Sequence, residues 1–234
     1  MIVERLTWDS DFFGYEIGKI DLKNNMSLDY EEFLKSASKF KLVYIFCKTT
    51  IDFDHFDKVD EKIILDKNVD FEFEEKNNNG IKIQSFNEND HSLVEIKKLA
   101  LESGIYSRFY LDKNFKQKEF EKLYISWIEQ SINKKIAFDV IVATDDDNTI
   151  LGFITLNKKN ENIAEIGLVA VSEASRGKGI ARKLLNYSFK KTKKLGFETI
   201  QVVTQNENIP AMKLYESVGF EIKEKTFVYH YWNI

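Results

Sequence analysis

The 234-residue chain is long enough for one large folded unit or two small ones, and its 43% hydrophobic and 31% charged residues exclude disordered, collagen-like and coiled-coil architectures. With 34 Lys and Arg against 38 Asp and Glu the net charge is −4, which excludes a polyanionic nucleic acid as partner, because phosphate binding needs clustered positive charge. No apolar run approaches the ~18 residues of a membrane span, and the first residues lack the apolar centre of a signal peptide.

In chain order, residues 15–21, 42–46 and 62–65 read as short strands, and residues 28–40 as a helix. Ser27 is placed to cap that helix, with Asp29, Glu31 and Glu32 near its positive end. Trp8, Phe12 and Phe13 read either as core of this region or as its contact with the C-terminal part of the chain. Cys47 is the sole cysteine, and His55, His91 and His230 are scattered. Neither a disulfide nor a zinc site is offered, so a cytoplasmic protein without a metal is expected. The cluster Asn77-Asn78-Asn79-Gly80 marks a boundary, since these residues suit turns and add little to a core. A small α+β domain over residues 1–79 and a larger one over 80–234 are therefore expected. Residues 1–79 carry 11 Lys and Arg against 18 Asp and Glu, and residues 80–234 carry 23 against 20. The first part is acidic, and the second can hold a small anionic ligand.

After Gly80 the pattern predicts a strand at 81–86, helices at 89–101 and 116–132, and strands at 139–144, 150–156 and 163–171. The short polar links between those three strands imply an antiparallel meander. A helix at 179–195, a strand at 199–204, a short helix at 209–218 and two closing strands at 220–225 and 227–232 complete the order. The lysines Lys190, Lys191, Lys193 and Lys194 sit at a helix C-terminus, where they complement the dipole and keep the face solvated.

The chemistry concentrates where the apolar strand Glu165-Ile166-Gly167-Leu168-Val169-Ala170-Val171 runs into Arg176-Gly177-Lys178-Gly179-Ile180-Ala181 and opens a helix. Glycines let backbone N–H groups approach a ligand, and the first helical turn adds unpaired N–H groups with a partial positive charge. Together with Arg176 and Lys178 this makes a cradle for a pyrophosphate. A Walker loop would need Ser or Thr where Gly179 stands, and the dinucleotide fingerprint would need Gly or Ala where Arg182 stands.

A second motif lies in Asn208-Ile209-Pro210-Ala211-Met212-Lys213-Leu214-Tyr215 and Gly219-Phe220. As a pair the two motifs resemble the GCN5-related N-acetyltransferase (GNAT) family, over roughly residues 81 to the end. The resemblance implies an α/β (α+β) fold with a mixed, mostly antiparallel and splayed central sheet, and acetyl-CoA as co-substrate. It implies that the strand ending Val169-Ala170-Val171 bulges to admit pantetheine, that the loop from Arg176 through Gly177, Lys178, Gly179, Ile180 and Ala181 holds the pyrophosphate, and that Asn208, otherwise a helix cap, contacts the cofactor. Tyr215 is implied as the acid that protonates the leaving sulfur, its alternative being a packing residue. Glu165 is implied as the base in some members, with water chains as the alternative. Its face depends on whether a bulge reverses the strand's parity.

Two further regions, Leu6-Thr7-Trp8-Asp9-Ser10-Asp11-Phe12-Phe13-Gly14 and Ser107-Arg108-Phe109 with Tyr124 and Trp127-Ile128-Glu129 after it, resemble bacterial TDP-fucosamine (TDP-4-amino-4,6-dideoxygalactose) acetyltransferases. This narrower resemblance implies a nucleotide-linked amino sugar as acceptor, a role in cell-surface polysaccharide synthesis, an extra N-terminal domain and a homodimer. Arg108 can then grip an anionic diphosphate, and Tyr106, Phe109 and Tyr110 can stack on a base or sugar face. The alternative is an aromatic core corner with Arg108 in a surface ion pair. Acetylation of a protein N-terminus or a polyamine, and an acyl-CoA-binding module without turnover, remain the other readings.

Overall fold

The computed structural model describes residues 2–22, 29–51, 55–69 and 80–233. In chain order it contains β1 (Glu4–Arg5), α1 (Thr7–Phe13), β2 (Ile17–Leu22), α2 (Tyr30–Ala37), β3 (Leu42–Cys47) and β4 (Asp57–Asn68) before residue 80. Then come β5 (Lys82–Ser85), α3 (Leu93–Ser103), α4 (Arg108–Leu111), α5 (Gln117–Ile132), β6 (Asp139–Thr144), β7 (Ile150–Lys158) and β8 (Ile163–Val171). A 3-10 turn (Glu173–Ser175), α6 (Ile180–Lys194), β9 (Thr199–Gln205), α7 (Ile209–Ser217) and β10 (Glu221–Trp232) complete it.

Local chemistry fixes the helix ends. Asp29, Ser92 and Asn208 each accept a backbone N–H of the first turn, from Glu32, Glu95 and Ala211, satisfying donors that a helix cannot pair internally. Asp29 thus takes the role expected of Ser27. Ser27 and residues 77–79 of the expected boundary lie outside the described residues. The α1 helix was not expected. It ends at Gly14, which adopts the left-handed conformation that glycine permits.

All ten strands form one sheet in the order β1-β2-β3-β10-β4-β9-β8-β7-β6-β5. The antiparallel meander from β6 to β8 is as read from the sequence. The two closing strands are instead a single strand, β10. Register shifts at Ile222/Glu224 and Val228/Tyr229 let it run on past the polar stretch without a turn. The sheet also continues across the boundary expected at residue 80, because β4 lies between β9 and β10 and β3 pairs with β10.

Two layers of helices cover this sheet. On one face Ile63, Leu65, Ile166 and Val202 pack with Leu184 and Phe189 of α6 and with Met212 and Tyr215 of α7. On the other, Leu42, Tyr44, Val142, Phe153 and Leu168 pack with Ile96 and Leu99 of α3 and with Leu123 and Ile128 of α5. A third cluster joins α2 to β3 and β10 through Phe33, Val43, Ile45 and Tyr229. Both faces of β3 are therefore buried, and each such fully buried Leu, Ile or Phe contributes about 1.5–3 kcal/mol. Among the described residues no helix is long and apolar enough to cross a membrane.

Candidate active site

The centre of the sheet comes apart at one place. The parallel pairing of β8 with β9 runs from Ile163 opposite Thr199 to Ile166 opposite Val202. Beyond it, β8 continues to Val171 and β9 to Gln205 without pairing to each other. A bulge starts the divergence. On the β7 side Leu156 faces Ile166 but Ile154 faces Val169, leaving Gly167 and Leu168 opposite Thr155. The hydroxyl of Thr155 accepts the Leu168 N–H at 2.8 Å and holds the bulge. Gly167 allows this approach, since a Cβ there would stand 2.7 Å from Thr155 Oγ1 and 2.8 Å from the Asn157 side-chain nitrogen.

A cleft of about 840 Å³ opens through the splay. Its first half is lined by Gly167, Val169, Ala170 and Val171 of β8, by Arg176, Gly177, Gly179, Ile180, Ala181 and Arg182, and by Asn208, Ala211 and Tyr215. Gly177 and Gly179 have φ of +75° and +74°, and nothing lies within 4 Å of where a Cβ would be. None of the N–H groups from residue 177 to 182 donates to a described backbone carbonyl. With the positive end of α6 behind them, they form a ready anion cradle.

The bulge also settles the parity of β8. Ala164 and Ile166 pack with the α6 core, whereas Leu168 and Ala170 pack with the α3 and α5 core. Glu165 therefore shares the face of Leu168 and Ala170. It lies within the doubly paired part of β8, between Asn157 and Gln201, and does not line the cleft.

The flanking cations differ from expectation. Lys178 is exposed and does not line the cleft. Arg176 lines the cleft, donates to the Val171 carbonyl at 3.2 Å and pairs with Glu102 of α3 at 3.3 Å. Arg182, which sequence reasoning did not single out, lines the cleft and donates to Ser217 at 3.0 Å. Tyr215 is buried with its ring edge-on to Phe220. Burial pushes its hydroxyl above the ordinary value, so it keeps its proton through neutral pH.

The second half brings together residues from distant parts of the chain: Phe46 of β3, Asp60 and Lys62 of β4, Tyr106, Ser107, Arg108 and Phe109 around α4, and Tyr124 and Trp127 of α5. The Arg108 guanidinium lies 4.4 Å from the Tyr44 ring centre and 4.8 Å from that of Phe109. Among the described residues no acceptor reaches its buried Nε, nor any partner the Ser107 hydroxyl. Arg108 is thus held over aromatic faces inside the cleft rather than in a surface ion pair. Phe109 serves both readings, being a buried member of the α5 core and part of the cleft wall. Tyr110 is exposed, packs on Phe120 and does not line the cleft.

Asp60 and Lys62 were missed by sequence reasoning. Their charges titrate abnormally: burial raises the Asp60 carboxyl to about 6, against the opposing pull of Arg108 and Lys62. Burial, and then the charge of Arg108, lower the Lys62 ammonium. The strand read at residues 62–65 includes Lys62 but stops short of Asp60. Nothing local says that this strand lies beside β9.

Known proteins resemble this chain in sequence and fold. The family described as acetyltransferase (GNAT) family matches residues 98–220. The spore coat polysaccharide biosynthesis protein SpsD of Bacillus subtilis is 26% identical over 138 residues, which cover 58% of this chain and 46% of that protein. N-alpha-acetyltransferase 30 of Saccharomyces cerevisiae is 30% identical over 145 residues, 61% of this chain and 76% of that protein. Several curated relatives are matched over only about half their length. Among solved structures, a GCN5-related N-acetyltransferase from Sphaerobacter thermophilus superposes with a TM-score of 0.58 at 16% identity, covering 91% of this chain and 72% of that one.

Proposed function

This chain belongs to the acetyltransferase (GNAT) family, and from that premise we propose that it moves an acetyl group from acetyl-CoA to the amine of a nucleotide-linked (TDP-type) deoxyamino sugar, for cell-surface polysaccharide. The observation that carries the reading is the splay between β8 and β9. It joins a glycine cradle on one face of the sheet to a cationic, aromatic chamber on the other.

The residues present fit acetyl-CoA. The N–H groups from residue 177 to 182, free of backbone acceptors, would hold the pyrophosphate, and the glycines leave open the space that a side chain would fill. Past Ile166, the backbone of Val169, Ala170 and Val171 no longer pairs with β9. It is placed to pair with the amides of pantetheine and to present N–H groups to a carbonyl oxygen on which charge develops. Asn208 lines the cleft while capping α7, so both of its expected roles are compatible. The co-substrate supplies the activated acyl group. Tyr215, protonated and facing the cleft, delivers a proton to the departing sulfur.

In the other half, Arg108 and Lys62 give two positive charges for a diphosphate, and Tyr106 and Phe109 give faces for a base or sugar. The likeness to a polysaccharide biosynthesis protein supports a sugar acceptor. The likeness to an N-alpha-acetyltransferase supports the second reading, a protein N-terminus. A polyamine fits poorly, because two cations in this chamber repel a polycation.

The choice is tested by incubating the protein with acetyl-CoA and a thiol-reactive dye, using TDP- and UDP-amino sugars, peptides and polyamines as acceptors. Thiol release with a TDP-amino sugar and not with peptides is expected. Turnover with peptides alone overturns the sugar acceptor while leaving the acetyl-transfer chemistry in place.

A further inference from the structure

We propose that Asp60 of β4 takes the proton from the incoming ammonium group, standing between the acetyl-transfer cleft and a second, solvent-open cavity through which that proton leaves. The inference rests on the acetyl-transfer reading but not on the identity of the amine.

Four observations lead to it. First, the described residues lining the main cleft include two carboxylates and no imidazole, the carboxylates being Asp60 and Glu102. Glu102 is committed to Arg176 at 3.3 Å, and Glu165 lies below the splay, outside the lining. The buried histidine His230 is bound to Asp112 at 2.5 Å, and His91 to Gln84 and the Asn87 N–H, neither of them in the cleft.

Second, no donor among the described residues reaches the buried Oδ1 of Asp60. An orphaned carboxylate oxygen beside a cavity is the expected state of a group whose partner arrives with the substrate.

Third, Asp60 projects from the same face of β4 as Lys62, opposite to Ile63 and Leu65, which pack in the α6 core. That face meets the α4 and α5 half of the cleft, where an acceptor held by Arg108 would lie.

Fourth, Asp60 also lines a second cavity of about 580 Å³ with Asp57, Lys58, Lys113, Asn114 and Glu207. Asp57, Lys58, Lys113 and Glu207 in that wall are exposed. Asp60 thus borders both the reaction space and a cavity with exposed walls.

The charges around it set its titration. Burial, the largest influence, favours the acid; Arg108 of α4, Lys62 of β4 and the Glu61 backbone N–H favour the carboxylate, and the Glu61 charge opposes them. Glu61 is itself tied to Lys58 and Lys225, and the opposite residue of β10, Val228, is apolar. The Tyr124 hydroxyl of α5 neighbours it on the cleft side and is kept protonated by burial, and Asp57, Lys58, Asp112, Lys113 and Glu207 share the second cavity with it. The balance leaves the carboxyl near 6, ionised at neutral pH yet basic enough to hold a proton briefly.

The protons then balance. Asp60 takes one from the ammonium, leaving a neutral amine whose nitrogen forms the C–N bond as the carbonyl–sulfur bond breaks. Tyr215 protonates the sulfur and is restored by the second proton that the nitrogen sheds. Asp60 passes its own proton to water.

The decisive variant is Asp60→Asn. With the acceptor found in the panel, kcat is expected to fall on the order of 10²-fold. The acid limb of the kcat profile near pH 6 should vanish, and the acetyl-CoA Kd should stay within about twofold. Asp60→Glu should restore part of the rate. If Asp60 only positions Arg108, the acceptor KM rises while kcat and the acid limb stay put, and the proposal fails. A measurement on the unliganded protein needs no acceptor: a carboxyl signal in infrared or ¹³C NMR titration, lost in Asp60→Asn, should titrate near 6. A carboxyl already ionised below pH 4.5 overturns the proposal whichever amine is the substrate.

Discussion

The two halves of the cleft are built in opposite ways. The half proposed for the cofactor comes from residues close in sequence: the end of β8, the loop after it, the first turn of α6, and α7. Its geometry obeys local rules, with glycines at positive φ, a helix terminus and an Asn cap. The acceptor half takes Phe46, Asp60, Arg108 and Tyr124 from four separate elements, and only the order of strands and helices brings them together. Shared chemistry can therefore be written as a short motif, whereas acceptor choice is written in the topology.

The contrast is sharpest where the motif is broken. In Gly179→Val a β-branched residue is forced to φ near +74° and fills the cradle. Calorimetry is expected to show acetyl-CoA binding weakened at least ~100-fold, with nucleotide binding at Arg108 retained. Normal acetyl-CoA binding would refute the cradle. Next comes Tyr215→Phe, for which kcat should drop roughly 10²-fold while the acetyl-CoA Kd changes by less than about twofold. Steady-state kinetics beside calorimetry separates the two quantities, and unchanged turnover would leave Tyr215 a packing residue.

Acting on the other half, Arg108→Ala should raise the acceptor KM about 10- to 100-fold, or about 1.4–2.7 kcal/mol, without altering acetyl-CoA affinity. An equal loss for both substrates would erase the proposed division of the cleft. The smallest effect is expected at the hinge between the halves. Thr155→Val leaves the Leu168 N–H without its partner, which should cost about 1–3 kcal/mol and lower Tm by roughly 2–10 °C in thermal melts.

What was legible in the sequence divides along the same line. Apart from α4, which was not expected, and the tail, the strands and helices after residue 80, the glycine loop and the α7 cap are set by short-range patterning, and the structure has them close to where the periodicity puts them. Four features depended on long-range pairing and were not legible. The face of Glu165 turned on a bulge fixed by Thr155 across the ladder. The tail read as two strands because its polar stretch resembles a turn until β4 is placed beside it. Arg176 read as a free cation because Glu102 lies 74 residues away. Asp60 and Lys62 fell in a stretch taken for a separate unit, and only the register of β4 against β9 and β10 carries them to the cleft.

That register has a consequence for how such a protein can change. Side chains on β4 alternate between the α6 core and the reaction chamber, so a slip of one position would put Ile63 where Lys62 stands and Glu61 where Asp60 stands, removing the cation from the chamber. On the proposed reading, acceptor preference is in effect an offset between neighbouring strands. A single inserted residue ahead of Asp60 could reset it without altering any of the side chains involved, a kind of drift that comparing residue identities alone would never detect.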